Sequence, residues 1–295
     1  MSSGGFVSLD TIWEKKEMVT TDRGKINVYS LSGPGPFAIF CIHGAGHSAL
    51  SFSLFAQQMK GVASVFAFDL KCHGETEGDP AKDLSIENLA KDSASVINAL
   101  QPEHTRTILI GHSLGGSIIV HTVPLLNSKP FSCVVIDTIE GLALAAMPRM
   151  NFILSSRPKS FNSEREAINY ISTSGEMMNS RSAALSAPGR IKMKDGSLTW
   201  ITDLRPSEPY WNGWFKGFAD LFLKTPGFKI LILTNINNMD TPFVIGHMSG
   251  KFQLEIVGGA NHCIHEDYPD SVAKIIKDFI KRILDDPYSS QNLFK

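Results

Sequence analysis

The sequence predicts an α/β fold: a mostly parallel, doubly wound sheet flanked by helices. Two observations predict it. Five short apolar runs, PFAIFCIHG (36–44), SVFAFDL (64–70), TILIGHS (107–113), CVVIDTI (133–139) and KILILTN (229–235), lack the alternation of a half-exposed strand. They fit strands covered on both faces. Helix-period stretches lie between the runs, and alternating strands and helices build parallel sheets through right-handed crossovers.

Taken in order, residues 15–31 predict an opening hairpin, with Asp22-Arg23-Gly24 as its turn and Ile26, Val28 and Ser30 in extended alternation. Gly33–Pro36 breaks the chain before the first apolar run. Ser85 caps a helix whose Ile86, Leu89, Ala90, Ile97 and Leu100 share one face. Asp270 precedes another, with Val272, Ile275, Ile276, Phe279, Ile280 and Ile283 on one stripe. Residues 142–225 interrupt the rhythm with a helical stretch near 162–173 and a hairpin turning at Asp195-Gly196. An aromatic run at helical spacing follows: Tyr210, Trp211, Trp214, Phe215, Phe218, Leu221 and Phe222. We read 142–225 as a cap insertion within a single domain spanning 1–295. The aromatic stripe is expected to pack against the core, the alternative being that part of it lines a substrate groove.

Composition excludes several functions. The chain of 295 residues is 43% hydrophobic and 19% charged, with a formal net charge of −1, so no overall field points to nucleic acid or an anionic membrane. Cys41, Cys72, Cys133 and Cys263 form no C-x-x-C pair, and Cys41 and Cys133 sit inside aliphatic runs. We expect no disulfide framework. MSSGGFVSLDTIWEKKE lacks the apolar core of a signal peptide. No stretch approaches the roughly 20 apolar residues that span a bilayer. The expectation is a reduced, intracellular protein of cytoplasm or nucleus.

Gly111-His112-Ser113-Leu114-Gly115 matches G-x-S-x-G, between the strand Thr107–Ile110 and the helical pattern Gly116–His121. Strand, sharp turn, helix is the context of a nucleophile elbow, and Ser113 is the candidate nucleophile. The helix N-terminus behind it favours developing negative charge. His43-Gly44-Ala45-Gly46 follows the first strand of the series. It offers the amide of Ala45 as one oxyanion donor, with the amide of Leu114 as the second, each stabilising a transition state by roughly 3–4 kcal/mol. His43 and His47 lack an acidic third ligand at a supporting spacing, so no metal is expected. His262 falls in the loop after the strand Phe252–Val257 and is the candidate base. His265, nearer the final helix, is assigned a local hydrogen bond or capping contact. Two aspartates compete for the acid. Asp240 lies past the turn of the late strand, while Asp137 ends the strand that follows the nucleophile strand.

HGAGHSALSF (43–52), DLKCHGET (69–76), GHSLGGSIIVHT (111–122), VVIDTIEG (134–141), RPKSF (157–161), YWNGWFKGFADLFL (210–223), GKFQ (250–253) and NHCIHEDYPD (261–270) together resemble the protein phosphatase methylesterases of the α/β-hydrolase superfamily. The resemblance runs from about residue 10 to 285. It implies the α/β-hydrolase fold and places the acid in the VID-x-x-EG motif, at Asp137. It further implies hydrolysis, without metal or cofactor, of the methyl ester on the C-terminal leucine of a type 2A protein phosphatase catalytic subunit. That tail is then received near the cap. The alternatives are a general esterase on small substrates and a phosphatase-binding scaffold without chemistry. HGAG stands where relatives often carry HGGG, and the long insert of animal relatives is reduced here to KMKDGSLTW.

Overall fold

A computed structural model of the chain describes residues 12–103 and 105–285. Most of the N-terminal segment read above for a targeting signal, residues 1–11, lies outside the described residues. Eight strands form the main sheet: β1 (Lys15–Thr21), β2 (Gly24–Leu31), β3 (Phe37–Ile42), β4 (Ser64–Phe68), β5 (Arg106–His112), β6 (Ser132–Ile136), β9 (Phe228–Leu233) and β10 (Gln253–Ile256). Their order is β1-β2-β4-β3-β5-β6-β9-β10. The five strands that carry the apolar runs pair in parallel. The opening hairpin turns at residues 22–23 and joins the sheet antiparallel through β2.

The apolar runs are unbroken because both faces are covered. Ile39, Ile108, Ile110, Val134 and Ile232 face one core cluster, packed by the helices Ser53–Met59 and Pro269–Asp285. Ile42, Leu109, Cys133, Val135 and Leu231 face the other, packed by the helices Ile86–Leu100 and Leu114–Thr122. Ser85 Oγ accepts the Asn88 N–H at 3.2 Å, the predicted cap. The last helix begins at Pro269, so Asp270 lies within its first turn instead of preceding it. Proline at a first helical position loses no hydrogen bond, since that N–H has no intrahelical acceptor.

Between β6 and β9 the chain carries short helices and a hairpin, β7 (Ile191–Lys194) with β8 (Ser197–Trp200). Asp195 (φ 49°) and Gly196 (φ 79°) form its left-handed turn. Phe161, Ile171, Ala183, Ile191 and Leu198 make a separate small core there. The aromatic run joins the main core instead, with Trp214, Phe218 and Phe222 fully buried. It is not one helix. Gly217 (φ 82°) breaks it into Trp211–Phe215 and Phe218–Lys224. Glu140 then accepts the N–H groups of Gly217 and Ala219, each at 2.8 Å. The carboxylate from the segment after β6 therefore supplies the N-terminal partners that the second helix lacks by itself.

Candidate active site

Ser113 follows β5 directly and takes φ 52°, ψ −120°. Such a conformation is costly for a residue with a side chain and persists only where its surroundings hold it. Here they do. Ser113 N–H donates to the Ile136 carbonyl at 3.0 Å, and the Ser113 carbonyl accepts from Gly116 N–H at 2.8 Å and Thr138 Oγ1 at 2.9 Å. The glycines follow from the crossing of strand and helix. A Cβ on Gly111 would lie 2.2 Å from the Gly115 carbonyl oxygen, and one on Gly115 would lie 2.1 Å from the Ile42 oxygen. Leu114 is the first residue of the helix Leu114–Thr122, so its N–H has no intrahelical acceptor.

Asp137 repeats the construction one strand over. It follows β6, has φ 50°, and donates its N–H to the Ile232 carbonyl at 2.8 Å. Its Oδ2 accepts from His262 Nδ1 at 2.7 Å. That bond leaves Nε2 of His262 for the cavity that Ser113 also lines. Packing against protein works to lower the His262 pKa, but the hydrogen bond and charge of Asp137 outweigh it, and the net shift is upward. The ring keeps 46% of its side-chain surface exposed, so desolvation acts on it only in part. The backbone is held too, because the His262 carbonyl accepts from His112 Nε2 at 3.0 Å. Burial, with neighbouring His265 and His262 adding to it, keeps His112 well below the usual histidine range and therefore neutral.

Asp240 is occupied elsewhere. Its Oδ2 accepts Gly141 N–H at 3.0 Å, and its Oδ1 faces Phe243 N–H at 3.5 Å as the cap of the helix Thr241–Met248. Asn235 Oδ1 accepts Asn237 N–H at 2.9 Å within the turn after β9. His265 corrects the expectation of a local cap. It is fully buried, neither ring nitrogen has a hydrogen-bond partner among the described residues, and its ring packs at a tilt against Phe52 at 4.4 Å and His112 at 4.6 Å. Burial takes its pKa down to about 3, so a neutral ring packs there as an aromatic.

The HGAG loop is fixed by histidines. His43 Nε2 accepts Leu70 N–H at 3.0 Å, and His73 Nε2 accepts Gly46 N–H at 2.9 Å. His47 N–H returns to the Gly44 carbonyl at 3.2 Å. Those bonds use the amides of Gly46 and His47 but not that of Ala45. The positive φ in this loop falls on Gly46 (φ 76°), so alanine at 45 carries no left-handed strain. His73 was not singled out from the sequence. It lies 27 residues from Gly46, and only the DLKCHGET motif hinted at it.

Ser113, Asp137, His262, Gly44 and Ala45 line one cavity of about 390 Å³. Much of its wall is apolar, made of Leu142, Ala143, Met147, Met150, Ile153, Trp214 and Phe215. His47, His112, Arg157 and Glu176 also line it. Sequence reading missed Glu176, which joins Arg157 at 2.6 Å and Arg190 at 2.7 Å. Burial would raise its carboxyl, but the two guanidinium groups bring it down to about 2.

A left-handed serine on a strand–helix turn, with a histidine–aspartate pair beside it, defines a class. A family model described as "Alpha/beta hydrolase family" matches residues 39–275. A solved E-2-(acetamidomethylene)succinate hydrolase superposes with a TM-score of 0.75, at 20% identity over 90% of this chain and 99% of that one. The chain belongs to the α/β-hydrolase family and is a serine esterase. Protein phosphatase methylesterase 1 of Homo sapiens is 33% identical over 94% of this chain and 83% of that protein. The Schizosaccharomyces pombe protein of the same name is 36% identical over 88% and 79%. Within the hydrolases, the chain belongs to the protein phosphatase methylesterases. The four cysteines are free, and among the described residues no helix is long and apolar enough to cross a membrane.

Proposed function

We propose that this chain removes the methyl ester from the C-terminal leucine carboxylate of a type 2A protein phosphatase catalytic subunit, with Ser113, His262 and Asp137 as its triad. The observation that carries the reading is the 2.7 Å bond from His262 to Asp137 beside the strained Ser113, in a chain of this family. Ser113 attacks the ester carbonyl while Nε2 of His262 takes its proton, and Asp137 stabilises the imidazolium. The amides of Ala45 and Leu114 receive the oxyanion. His262 returns the proton to the departing methanol, and water then releases the free carboxylate by the same steps. No step uses a metal or cofactor. The segment 142–225 acts as the cap, its apolar wall receiving the tail beside the ester. Phe152, 76% exposed beside that wall, extends the apolar surface outward, as a protein substrate needs.

The test is methyl release from a carboxymethylated phosphatase catalytic subunit by wild type and Ser113→Ala, with a simple aryl ester alongside. Release abolished in the variant is expected. Serine-dependent turnover of the aryl ester alone would replace the reading with a general esterase. Tight binding without turnover of either would replace it with a scaffold.

A further inference from the structure

Behind His262 the fold buries a second polar group that ester hydrolysis does not use. His47 comes from the loop after β3, Cys263 follows His262, and Glu266 lies on the short helix Ile264–Asp267. All three are buried. Cys263 Sγ lies 3.9 Å from His47 Nε2, and Glu266 Oε1 lies 3.5 Å from His47 Nδ1 without hydrogen-bond geometry. One donor atom from each of the three falls within 4.8 Å of the others.

Buried polar atoms normally find partners. Here Nδ1 of His47 and both carboxyl oxygens of Glu266 have no partner in full hydrogen-bond geometry among the described residues, although the Ser186 hydroxyl lies close enough to Glu266 to act on its carboxyl. A carboxyl so poorly partnered, with no surface exposure, is costly, and it is aimed at an imidazole and a thiol. A nitrogen, a sulfur and an oxygen donor gathered this closely form the donor set of a zinc-type ion. The sequence hid this set, because the acid absent near His47 along the chain arrives from residue 266.

We propose that His47, Cys263 and Glu266 bind a divalent transition metal of the zinc type, and that its capture suppresses ester hydrolysis. A thiolate and a carboxylate cancel the ion's two charges. Arg190 faces the group, but its charge is offset by Glu176 at 2.7 Å. Three protein ligands leave a fourth position for water.

Suppression follows from distance. Bonds of about 2.0–2.3 Å in a tetrahedron set donors roughly 3.3–3.8 Å apart. Cys263 Sγ stands by Nε2 of His47 at 3.9 Å and Glu266 Oε1 by its Nδ1 at 3.5 Å, so gathering all three on one ion through a single ring nitrogen contracts the group. Contraction pulls on Cys263, next to His262, and on His47, two residues from Ala45. Both sides of the reacting position shift together, and misplacement on the ångström scale is enough to lose turnover.

The experiment titrates the full chain with Co²⁺ and with Zn²⁺. Cobalt is read by its thiolate charge-transfer absorption, and zinc by aryl-ester turnover before and after a chelator. Wild type takes up one equivalent, shows the sulfur band, and loses turnover roughly tenfold or more, reversibly. Cys263→Ala removes the band and Glu266→Gln weakens uptake by roughly tenfold or more, while both keep metal-free turnover. Equal inhibition of wild type and both variants would overturn the proposal, because the ion would then act elsewhere. So would uptake without the band, or no uptake, which would leave buried water as the partner of Glu266. The cobalt band reads Cys263 ligation without any ester, so it separates failure of this site from failure of the proposed esterase chemistry. If Cys263→Ala does not fold, Glu266→Gln decides.

Discussion

Asp137→Asn isolates the charge behind His262 with almost no change of shape. In the proposed reaction His262 becomes an imidazolium, and Asp137 Oδ2 stands 2.7 Å from its Nδ1. The carboxylate is largely enclosed, with 17% of its side-chain surface exposed. Two unit charges centred about 4 Å apart at an effective dielectric near 20 attract by about 4 kcal/mol. Solvent at the half-exposed ring trims this to about 3 kcal/mol, or roughly two orders of magnitude in rate. The amide brings a second loss. Its NH₂ can face the ring and favour the tautomer with the proton on Nε2, which cannot accept from Ser113. Together these predict a fall in kcat of about 10⁴-fold, the size seen for the same change in a serine protease.

The pH profile gives an independent reading. His262 must be neutral to act as base, so the rate rises with pH through its pKa. Asp137 holds that pKa above the ordinary histidine value, so the wild-type acid limb lies above it and the variant's lies lower. Stability carries the same sign. A histidine with a raised folded pKa stabilises the fold below its ordinary pKa and loses that contribution as pH rises through the folded value. Asp137→Asn therefore lowers Tm more at about pH 5 than at about pH 9. The assay is aryl-ester kcat against pH for wild type, Asp137→Asn and Asp240→Asn. Wild-type kcat in Asp137→Asn, with the loss in Asp240→Asn instead, would refute the reasoning.

Three further outcomes are expected. Glu176→Ala strands Arg190, whose side chain is 1% exposed, and costs about 3–5 kcal/mol in urea unfolding at neutral pH. Because the Glu176 pKa is depressed to about 2, its contribution is lost as pH falls from the usual carboxyl value towards 2, so the deficit narrows in acid. Gly115→Ala places a Cβ against the Ile42 oxygen with backbone on both sides, and destabilises by about 3 kcal/mol in thermal unfolding, with loss of ester turnover. Phe152→Asp puts a charge on an exposed residue next to cavity-lining Ile153. It raises KM for the methylated phosphatase roughly tenfold and leaves aryl-ester kcat within about twofold; equal loss on both substrates would remove Phe152 from tail recognition.

Much of this was legible in the sequence where cause and consequence lie close along the chain. The central strands announce themselves because burial on both faces removes every alternating polar residue. Ser113 announces itself because the strand–helix crossing excludes side chains at 111 and 115. The acid was half legible. Residues alone favoured Asp137 with Asp240 as its competitor, and what separates them spans long distances: Asp240 is held by Gly141, 99 residues away, and Asp137 by His262, 125 away. The aromatic run read as one helix because its spacing is helical, yet Glu140, from 77 residues upstream, supplies the bonds that let Gly217 divide it. His265 carried acidic neighbours that suggested a cap. Its true surroundings, Phe52 and His112, come from elements far away in sequence.

The displaced acid has a structural logic of its own. β5 pairs with β6 and β6 with β9, with His112 opposite Ile136 and Ile136 opposite Ile232. Ser113 and Asp137 each stand one residue beyond, in left-handed conformations, and each ties its N–H to the last paired carbonyl of the next strand. The proposed nucleophile and acid are thus one construction used twice, and the sheet fixes their separation without help from a loop. His262 arrives from beyond β10 and is caught at both ends on this seam, its ring by Asp137 and its carbonyl by His112. The turn after β9 is then free for structural duty, and it spends Asn235 and Asp240 on caps. Asp240 should therefore not rescue the loss of Asp137. Reaching His262 would break its bond to Gly141 and uncap the helix Thr241–Met248, at about 1 kcal/mol each, and it would still lack the strand register that holds Asp137 in place.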